Sequence, residues 1–304
     1  MASAQEKATL KYFHAGPFNR AQIRTDYATK LAKETHYNSA SIPNLERLLA
    51  YMEVDARITD IRWMAYMLAT AYWETSDPVK IQKATFKEGK PVLDKAGNPV
   101  MKQITVWRNY WPVNESDRGK GRDYFQPVKV KRLADGTAII TEHDGDQYTV
   151  NLSGAYKIVN QDAVRGAAAK KSAAAGFTKD DGVEHAYYGR GYVQLTWWNN
   201  YASTGAAIGE GLNLLFEPER ALEPKIAYEV MVRGMTTGAG FANGHKLSKY
   251  FHGAYTNYKG ARAMVNGTDC ADEIAAIAEL FEAILLRNKV TAPVATGAMW
   301  STLQ

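Results

Sequence analysis

The sequence HAYYGRGYVQLTWWNNY, residues 185–201, is the stretch around which the rest of the chain is organised. Its apolar residues follow neither the 3.6-residue period of an amphipathic helix nor the alternation of a half-buried strand. Glycine lets a backbone approach another group closely, while amides and flat aromatic rings are groups that contact polar ligands. The composition of this stretch therefore indicates a binding site rather than a regular part of the core.

Length and composition indicate one large globular domain. The chain has 304 residues, of which 46% are hydrophobic, enough to bury a sizeable core. It contains no apolar run of about eighteen residues, as a membrane span needs, and its first residues lack the apolar segment of a signal peptide. Because Cys270 is the only cysteine, an intrachain disulfide is excluded. We therefore expect synthesis in a cytoplasm, without a signal peptide or stable membrane insertion.

The charge balance is compatible with a polyanionic partner. Lysine and arginine outnumber the acidic residues by 37 to 32, which gives a net charge of +5. Nucleic acid, an anionic lipid surface and an anionic cell wall all fit such a balance. The basic clusters at 118–122 and 129–132 are short, so nothing singles out nucleic acid, and we expect no nucleic-acid partner.

Residues 61–75 are apolar nearly all round and predict a helix buried in the middle of the domain. Asp60 is placed to cap its start, and Pro78 prevents the helix from continuing far. One face of this helix ends in a carboxylate, and this face comprises Trp63, Met67, Ala71 and Glu74. Further helices are predicted at 20–34, after the Ser41-Ile42-Pro43 start, at 163–175, at 223–235 and after Thr268-Asp269.

Between these helices the sequence changes to short runs of strand-forming residues. Turn signals interrupt them at 95–98, 135–136 and 144–145. We therefore predict a mainly α fold with a β-hairpin-rich insertion at about 79–152. The predicted organisation is a single domain over residues 1–290, followed by a flexible tail at 291–304.

Glu74 is the first candidate for catalysis. A carboxyl group at the C-terminal end of an apolar helix is disfavoured in its charged form by desolvation and by the helix dipole, so its pKa should rise. A raised pKa suits a general acid, which must hold its proton near neutral pH. A glutamate that simply reaches solvent at a helix end is the alternative.

Three blocks of sequence resemble the family 19 glycoside hydrolases, which comprise chitinases and chitinase-like phage endolysins of the lysozyme-like superfamily. The blocks are AYWET at 71–75, YGRGYVQLT at 188–196 with Asn200-Tyr201, and MVNG at 264–267. They occur in the family's order. The resemblance covers roughly residues 55 to 285 apart from the β-rich insertion.

The resemblance implies a lysozyme-like helical fold and a role for Glu74 as the general acid that protonates the glycosidic oxygen. Trp73 departs from the family, whose members usually have histidine at that position. Enzymes of this kind resemble inverting hydrolases, in which a general base lies across the sugar, with the two carboxyl groups roughly 6.5–9.5 Å apart to admit a water molecule.

The general base is less clear from the sequence. Phage-type relatives have a proline-aliphatic-x-glutamate motif before a glycine- and lysine-rich stretch, and PVNE at 112–115 with RGKGR at 118–122 matches both parts. We therefore interpret residues 79–111 as inserted ahead of the base and predict Glu115 for that role. The alternatives are Glu88, Glu142 and Glu184.

The central stretch supplies the predicted substrate contacts. The resemblance implies that Gln194 binds sugar and that Thr196 helps the base to hold the attacking water. It also implies that Asn200 and Asn266 bind the sugar or its acetamido group. Arg190 either contacts substrate or holds a carboxylate in place.

Aromatic residues of the same stretch offer flat faces on which sugar rings can stack, although core packing explains them equally well. They are Tyr188, Tyr192, Trp197 and Trp198. Among these, Tyr188 and Trp197 are the ones we predict to bind substrate.

The resemblance thus implies a monomeric endolysin-type hydrolase, made in the cytoplasm of a bacterial host, that cuts β-1,4 bonds of peptidoglycan after another protein has opened the membrane. No HExxH motif occurs and only one cysteine is present, so we expect no metal and no other cofactor. A chitinase, a lytic transglycosylase and a non-catalytic virion or wall-binding protein are the alternatives.

Overall fold

The computed structural model describes residues 4–14, 16–34, 36–160 and 182–290. In the first half of the chain the α-helices are α1 (Ala4–Tyr12), α2 (Arg20–Lys30), α3 (Ile42–Glu53) and α4 (Ile61–Glu74). The second half contains α-helices at Trp198–Ala207, Asn213–Phe216, Pro224–Thr237, Leu247–Tyr250, Tyr258–Ala261 and Ala271–Arg287. None of the described helices is long and apolar enough to cross a membrane.

The strands of the described residues form five antiparallel sheets. Four of these sheets have two strands each: β1 (Asp77–Ala84) with β4 (Met101–Arg108), β2 (Phe86–Lys87) with β3 (Lys90–Pro91), β5 (Val113–Asn114) with β11 (Arg190–Gly191), and β12 (Phe251–His252) with β13 (Tyr255–Thr256). The fifth has the order β10-β6-β7-β8-β9, from β6 (Val128–Arg132), β7 (Ala138–Thr141), β8 (Gln147–Val150), β9 (Tyr156–Asn160) and β10 (Val183–His185).

Helix α4 lies at the centre of the core, as the sequence predicted. The Asp60 carboxylate caps its start by accepting a hydrogen bond from the backbone N–H of Arg62. From Ile61 to Tyr72 every side chain except that of Trp63 is buried, and the helix packs against the last helix, Ala271–Arg287. Because the helix is anchored along its whole length, its final residue has a fixed position.

The C-terminal end of α4 is fastened by a loop from far along the chain. The buried side-chain amide of Asn109 donates to the carbonyl of Tyr72 at 3.2 Å. The hydroxyl of Thr75 accepts a hydrogen bond from the backbone N–H of Tyr110 at 2.7 Å. These contacts satisfy polar groups that a helix end leaves free, and they fix where Glu74 emerges from the helix.

The prediction of a mainly α, lysozyme-like helical fold is wrong, because the structure is mixed α/β. The inward side chains of the five-stranded sheet join the same hydrophobic core as the helices; they are Val128, Val130, Ala138, Ile140 and Val150. Strand β10 pairs with β6 across a long stretch of chain, which local turn signals do not reveal. The sheet is therefore part of the core and extends past the predicted limit at residue 152.

The other helical predictions agree with α2, α3, Pro224–Thr237 and Ala271–Arg287. The predicted helix at 163–175 and the predicted tail at 291–304 lie outside the described residues. Strands β1 to β4 form one extended hairpin over residues 77–108, here called the hairpin arm.

Candidate active site

A cleft of about 460 Å³ lies between the end of α4 and the central stretch of sequence. Seven of the nine predicted site residues line it: Glu74, Glu115, Gln194, Thr196, Trp197, Asn200 and Asn266. The other lining residues are Arg122, Tyr124, Val193, Phe241 and Val265. The structure therefore brings together both predicted acid/base carboxylates and three side-chain amides from separate parts of the chain.

Glu74 is the last residue of α4, and its side chain is only 15% exposed. The guanidinium of Arg262, which is 2% exposed, contacts Oε1 of Glu74 and also donates through Nε to the carbonyl of Asp269 at 2.7 Å. The arginine thus fixes the position of one carboxylate oxygen, a contact that the sequence did not predict.

Glu115 reaches the cleft because β5 pairs with β11. Its backbone N–H donates to the carbonyl of Gly189 at 2.7 Å, and the N–H of Gly189 donates to Oε2 of Glu115 at 3.0 Å. A Cβ atom at position 189 would lie 2.7 Å from Oε1 of Gln194 and 3.3 Å from Oε2 of Glu115. The first glycine of the central stretch is therefore required for this close approach.

Tyr124 holds the other oxygen of Glu115. Its hydroxyl donates to Oε1 of Glu115 at 2.7 Å. Burial and this hydrogen bond raise the pKa of Tyr124 to about 12, so the phenol remains a donor at neutral pH. Donors on both oxygens therefore fix the orientation of the Glu115 carboxylate. Gly119 makes room for the tyrosine, because a Cβ atom there would lie 2.5 Å from the ring.

A tight loop presents the polar side chains of the central stretch. Arg190 and Leu195 exchange backbone hydrogen bonds, and Gln194 between them has a left-handed φ of 53°. The hydroxyl of Thr196 donates to the carbonyl of Gln194 at 2.7 Å, and the amide of Asn200 donates to the carbonyl of Thr196 at 2.9 Å. The side-chain amide of Gln194 donates to the carbonyls of Gly191 at 3.2 Å and Val113 at 3.3 Å, so all three side chains are fixed along one wall of the cleft.

Trp197, Asn266 and Arg122 are the exposed residues among those that line the cleft. The ring of Trp197 is 45% exposed and meets Tyr124 edge-on at 5.3 Å. The amide of Asn266 donates to Oδ2 of Asp269 at 3.3 Å. All three side chains are open to solvent and can contact a molecule that enters the cleft.

Tyr188 and Arg190 do not line the cleft. Arg190 is 2% exposed and donates to the carbonyl of Ala186 at 3.0 Å, to the hydroxyl of Tyr201 at 3.1 Å and to the carboxylate of Glu219 at 3.1 Å. Its guanidinium stacks on the ring of Tyr188 at 3.8 Å. The pair therefore anchors the central stretch from behind, and the carboxylate that Arg190 holds is neither Glu74 nor Glu115.

Comparisons of the chain with protein-family models, with curated proteins and with solved structures found no match. The resemblance to family 19 therefore depends on the three sequence blocks alone. Residues of all three blocks meet at the cleft: Glu74 comes from the first, Gln194 and Thr196 from the second, and Asn266 from the third.

The alternative bases lie elsewhere. Glu88 is exposed in the tight turn of the hairpin arm, and Glu184 is exposed on β10. Glu142 lines a neighbouring depression of about 280 Å³, where its Oε1 accepts a hydrogen bond from the indole of Trp198 at 2.8 Å. Tyr124 and Trp197 line both this depression and the cleft, which makes the two adjacent.

Within the described ranges, the carboxylates of Glu142, Asp144 and Asp146 are the group close enough to share a cation, with oxygens within 4.8 Å of one another. All three are partly exposed, and one is already bonded to Trp198. Exposed acids at a hairpin turn commonly occur without a cation, so we assign no metal to them.

Sequence reasoning missed two residues that hold the candidate carboxylates. Arg262 lies two positions before the MVNG block, and Tyr124 lies two positions after the RGKGR stretch. The only available signal was this closeness to a recognised block. Neither residue type indicates a partner until the fold places it beside Glu74 or Glu115.

Proposed function

We propose that the protein is a glycoside hydrolase of the family 19 type that cuts β-1,4 bonds of bacterial peptidoglycan with inversion. The observation that carries this proposal is that Glu74 and Glu115, from separate segments, line one open cleft together with three side-chain amides. Two carboxylates flanking a sugar are the minimal equipment for acid/base hydrolysis of a glycosidic bond.

The environments of the two carboxylates suggest the division of labour. Glu74 gives a proton to the leaving glycosidic oxygen from Oε2, the oxygen that Arg262 does not contact. Glu115, held in place by hydrogen bonds donated to both of its oxygens, takes a proton from the water that attacks the anomeric carbon. Both steps conserve protons, because the acid loses one and the base gains one.

Thr196 fits the role of a water-holding group. Its hydroxyl hydrogen is used in the hydrogen bond to the carbonyl of Gln194. The lone pairs of the oxygen can therefore accept a hydrogen bond from the attacking water. Gln194, Asn200 and Asn266 would bind the sugar hydroxyl and acetamido groups along the same wall.

An extended polymer suits the cleft better than a small molecule. The adjoining depression and the exposed ring of Trp197 continue the surface beyond the two carboxylates. The choice of peptidoglycan over uncharged chitin rests on the resemblance of the three sequence blocks to the chitinase-like phage endolysins. Because Glu115 shares the cleft with Glu74, the site also fits a two-acid hydrolase better than a transglycosylase that needs one acid.

The test is digestion of purified peptidoglycan and chitin side by side, with products identified by mass spectrometry. We expect hydrolysed muropeptides with reducing ends and an initially inverted anomer by NMR. Glu74→Gln and Glu115→Gln should each lower the rate by about 100- to 10,000-fold, the usual contribution of a general acid or base.

The matched control is Glu184→Gln, which changes an exposed glutamate outside the cleft and should retain the full rate. Since Glu74 pairs with Arg262, the thermal stability of each variant is measured first and the assay is run well below its melting temperature. Unchanged release of reducing ends by Glu74→Gln contradicts the proposal. Anhydro-sugar ends would indicate a transglycosylase, and wall binding without turnover would indicate a non-catalytic protein.

A further inference from the structure

The hairpin arm stands apart from the core. Among the side chains described between residues 78 and 108, none is buried. β1 and β4 pair over eight residues each, and among the described elements none packs extensively against them; at the base of the arm the ring of Trp107 lies 4.2 Å from that of His36. An isolated two-stranded hairpin is marginally stable in water, because it has no apolar face covered by other structure. The arm therefore gains little stability from the rest of the chain, and a binding partner could supply the missing contacts.

The arm carries most of the protein's net charge. It contains seven basic residues, which are Lys80, Lys83, Lys87, Lys90, Lys95, Lys102 and Arg108. It contains three acidic residues, Asp77, Glu88 and Asp94, and so has a net charge of +4 out of the chain's +5. A concentration of positive charge on an exposed projection is an attraction site for an anionic partner.

Four of the lysines occupy paired positions on neighbouring strands, where their charges repel and lower the stability of the arm. Lys83 lies directly opposite Lys102 in the pairing of β1 with β4, and Lys87 lies directly opposite Lys90 in the pairing of β2 with β3. Like charges directly opposite one another destabilise an antiparallel pair. An anionic partner would neutralise both pairs and convert this destabilisation into binding.

The distal half of the arm adds exposed apolar side chains to these charges. Phe86 is 59% exposed, Leu93 53%, Met101 52% and Val100 38%. The two lysine pairs lie at different points along the arm, and both apolar residues lie between them. Phe86 is on the outgoing side of the arm and Leu93 is on the returning side. A soluble anionic polymer offers charged groups without an apolar layer, whereas the surface of an anionic bilayer offers headgroup charge above an apolar layer.

We propose that the hairpin arm docks on the surface of an anionic phospholipid bilayer. Its lysines contact the headgroups, while Phe86 and Leu93 reach the boundary of the acyl chains. This contact is peripheral and leaves the cleft free. Because no residue of the cleft belongs to the arm, lipid binding and wall hydrolysis can succeed or fail separately.

The experiment is co-sedimentation of the full chain with vesicles of phosphatidylglycerol and phosphatidylcholine in about equal parts, compared with vesicles of phosphatidylcholine alone. We expect binding to the anionic vesicles only, weakened in about 0.5 M NaCl by screening. The fourfold variant Lys83→Gln, Lys87→Gln, Lys90→Gln, Lys102→Gln should bind at least about a hundredfold more weakly. Phe86→Ser with Leu93→Ser should weaken binding about tenfold.

The matched control removes four exposed lysines from other elements: Lys7→Gln, Lys157→Gln, Lys246→Gln and Lys249→Gln. It has the same net charge as the fourfold arm variant and should bind much as the unmodified chain does. A second measurement needs no variant: anionic vesicles should slow hydrogen exchange in residues 77–108 more than in α4.

Three results would overturn the proposal. The first is no binding to the anionic vesicles, and the second is equal loss of binding in the arm variant and the control. The third result has two parts. The Phe86→Ser, Leu93→Ser variant binds anionic vesicles as strongly as the unmodified chain does, and the unmodified chain binds soluble polyphosphate as strongly as it binds the vesicles. That last result would make an anionic polymer the partner instead of a bilayer.

Discussion

The cleft and the hairpin arm place charged side chains in opposite surroundings. In the cleft, the buried guanidinium of Arg262 contacts Glu74, and Glu115 accepts hydrogen bonds on both oxygens. In the arm, Lys83 faces Lys102 across two exposed strands. The difference teaches that charges of the cleft are matched inside the chain, whereas those of the arm need a match from outside. Substitutions should therefore change stability in the first region and binding in the second.

The largest effect on stability is expected from Arg262→Met. Removing this buried guanidinium leaves both Oε1 of Glu74 and the carbonyl of Asp269 without their hydrogen-bond donor, so the free energy of unfolding should fall by about 3 kcal/mol. Urea denaturation at pH 7 measures it. Lys83→Met in the arm is the matched control, with a change within about 0.5 kcal/mol, as is usual for surface positions. Equal losses in the two variants would remove the distinction between the regions.

A pair of glycines sharpens the comparison through sterics. Gly119 and Gly97 both have left-handed φ, at 72° and 85°. A Cβ atom at 119 would lie 2.5 Å from the ring of Tyr124, whereas one at 97 would meet nothing within 4 Å. Both alanine variants carry backbone strain of roughly 1–2 kcal/mol, but only Gly119→Ala displaces the tyrosine that holds Glu115.

We expect Gly119→Ala to lower kcat/KM on peptidoglycan about tenfold, a loss of about 1.4 kcal/mol in transition-state stabilisation, and Gly97→Ala to leave it unchanged. Steady-state release of reducing ends measures both variants. If they hydrolyse the wall at the same rate, Tyr124 does not position Glu115.

The smallest expected difference is in how stability depends on pH, and it compares Asp55, near the core, with Asp94 in the hairpin arm. Burial raises the pKa of Asp55, but hydrogen bonds from Arg57 at 2.6 Å and Tyr228 at 2.7 Å outweigh it and lower the pKa below its ordinary value of 3.8. In the arm, backbone N–H groups of Asn98 and Ala96 lower the pKa of the fully exposed Asp94. Both groups titrate in the same direction in different surroundings.

A lowered pKa adds stability that is present above pH 4 and is lost as the pH falls through the folded value. Asp55→Asn should therefore lower the free energy of unfolding at pH 7 by about 1–2 kcal/mol, with a deficit that shrinks as the pH falls below the ordinary aspartate pKa of 3.8. Asp94→Asn keeps its acceptor oxygen in the exposed turn and should leave the unfolding midpoint unchanged. Thermal melts between pH 2.5 and pH 7 would measure the stability of both variants relative to the unmodified chain. A loss of stability in Asp55→Asn that does not depend on pH would contradict the ionic explanation.

The parts of the fold that the sequence predicted are those whose signals are local. The cap at Asp60, the apolar run that follows and Pro78 define α4 within a short window of chain. The position of the sheet was not predictable in this way, because β10 joins β6 through pairing between distant segments. An alternating pattern of three residues at 183–185 is too short to indicate such a pairing.

The sequence alone determined that Glu74 ends a buried helix and that residues 185–201 are unusual for a regular element. It also predicted most of the residues that meet at the cleft, while their catalytic roles remain predictions. Only the tertiary structure decided that Tyr188 and Arg190 face away, that Arg262 and Tyr124 hold the two carboxylates, and that the arm stands free. The physical reason is that a side chain's charge and burial depend on neighbours contributed by distant segments, which no local pattern encodes.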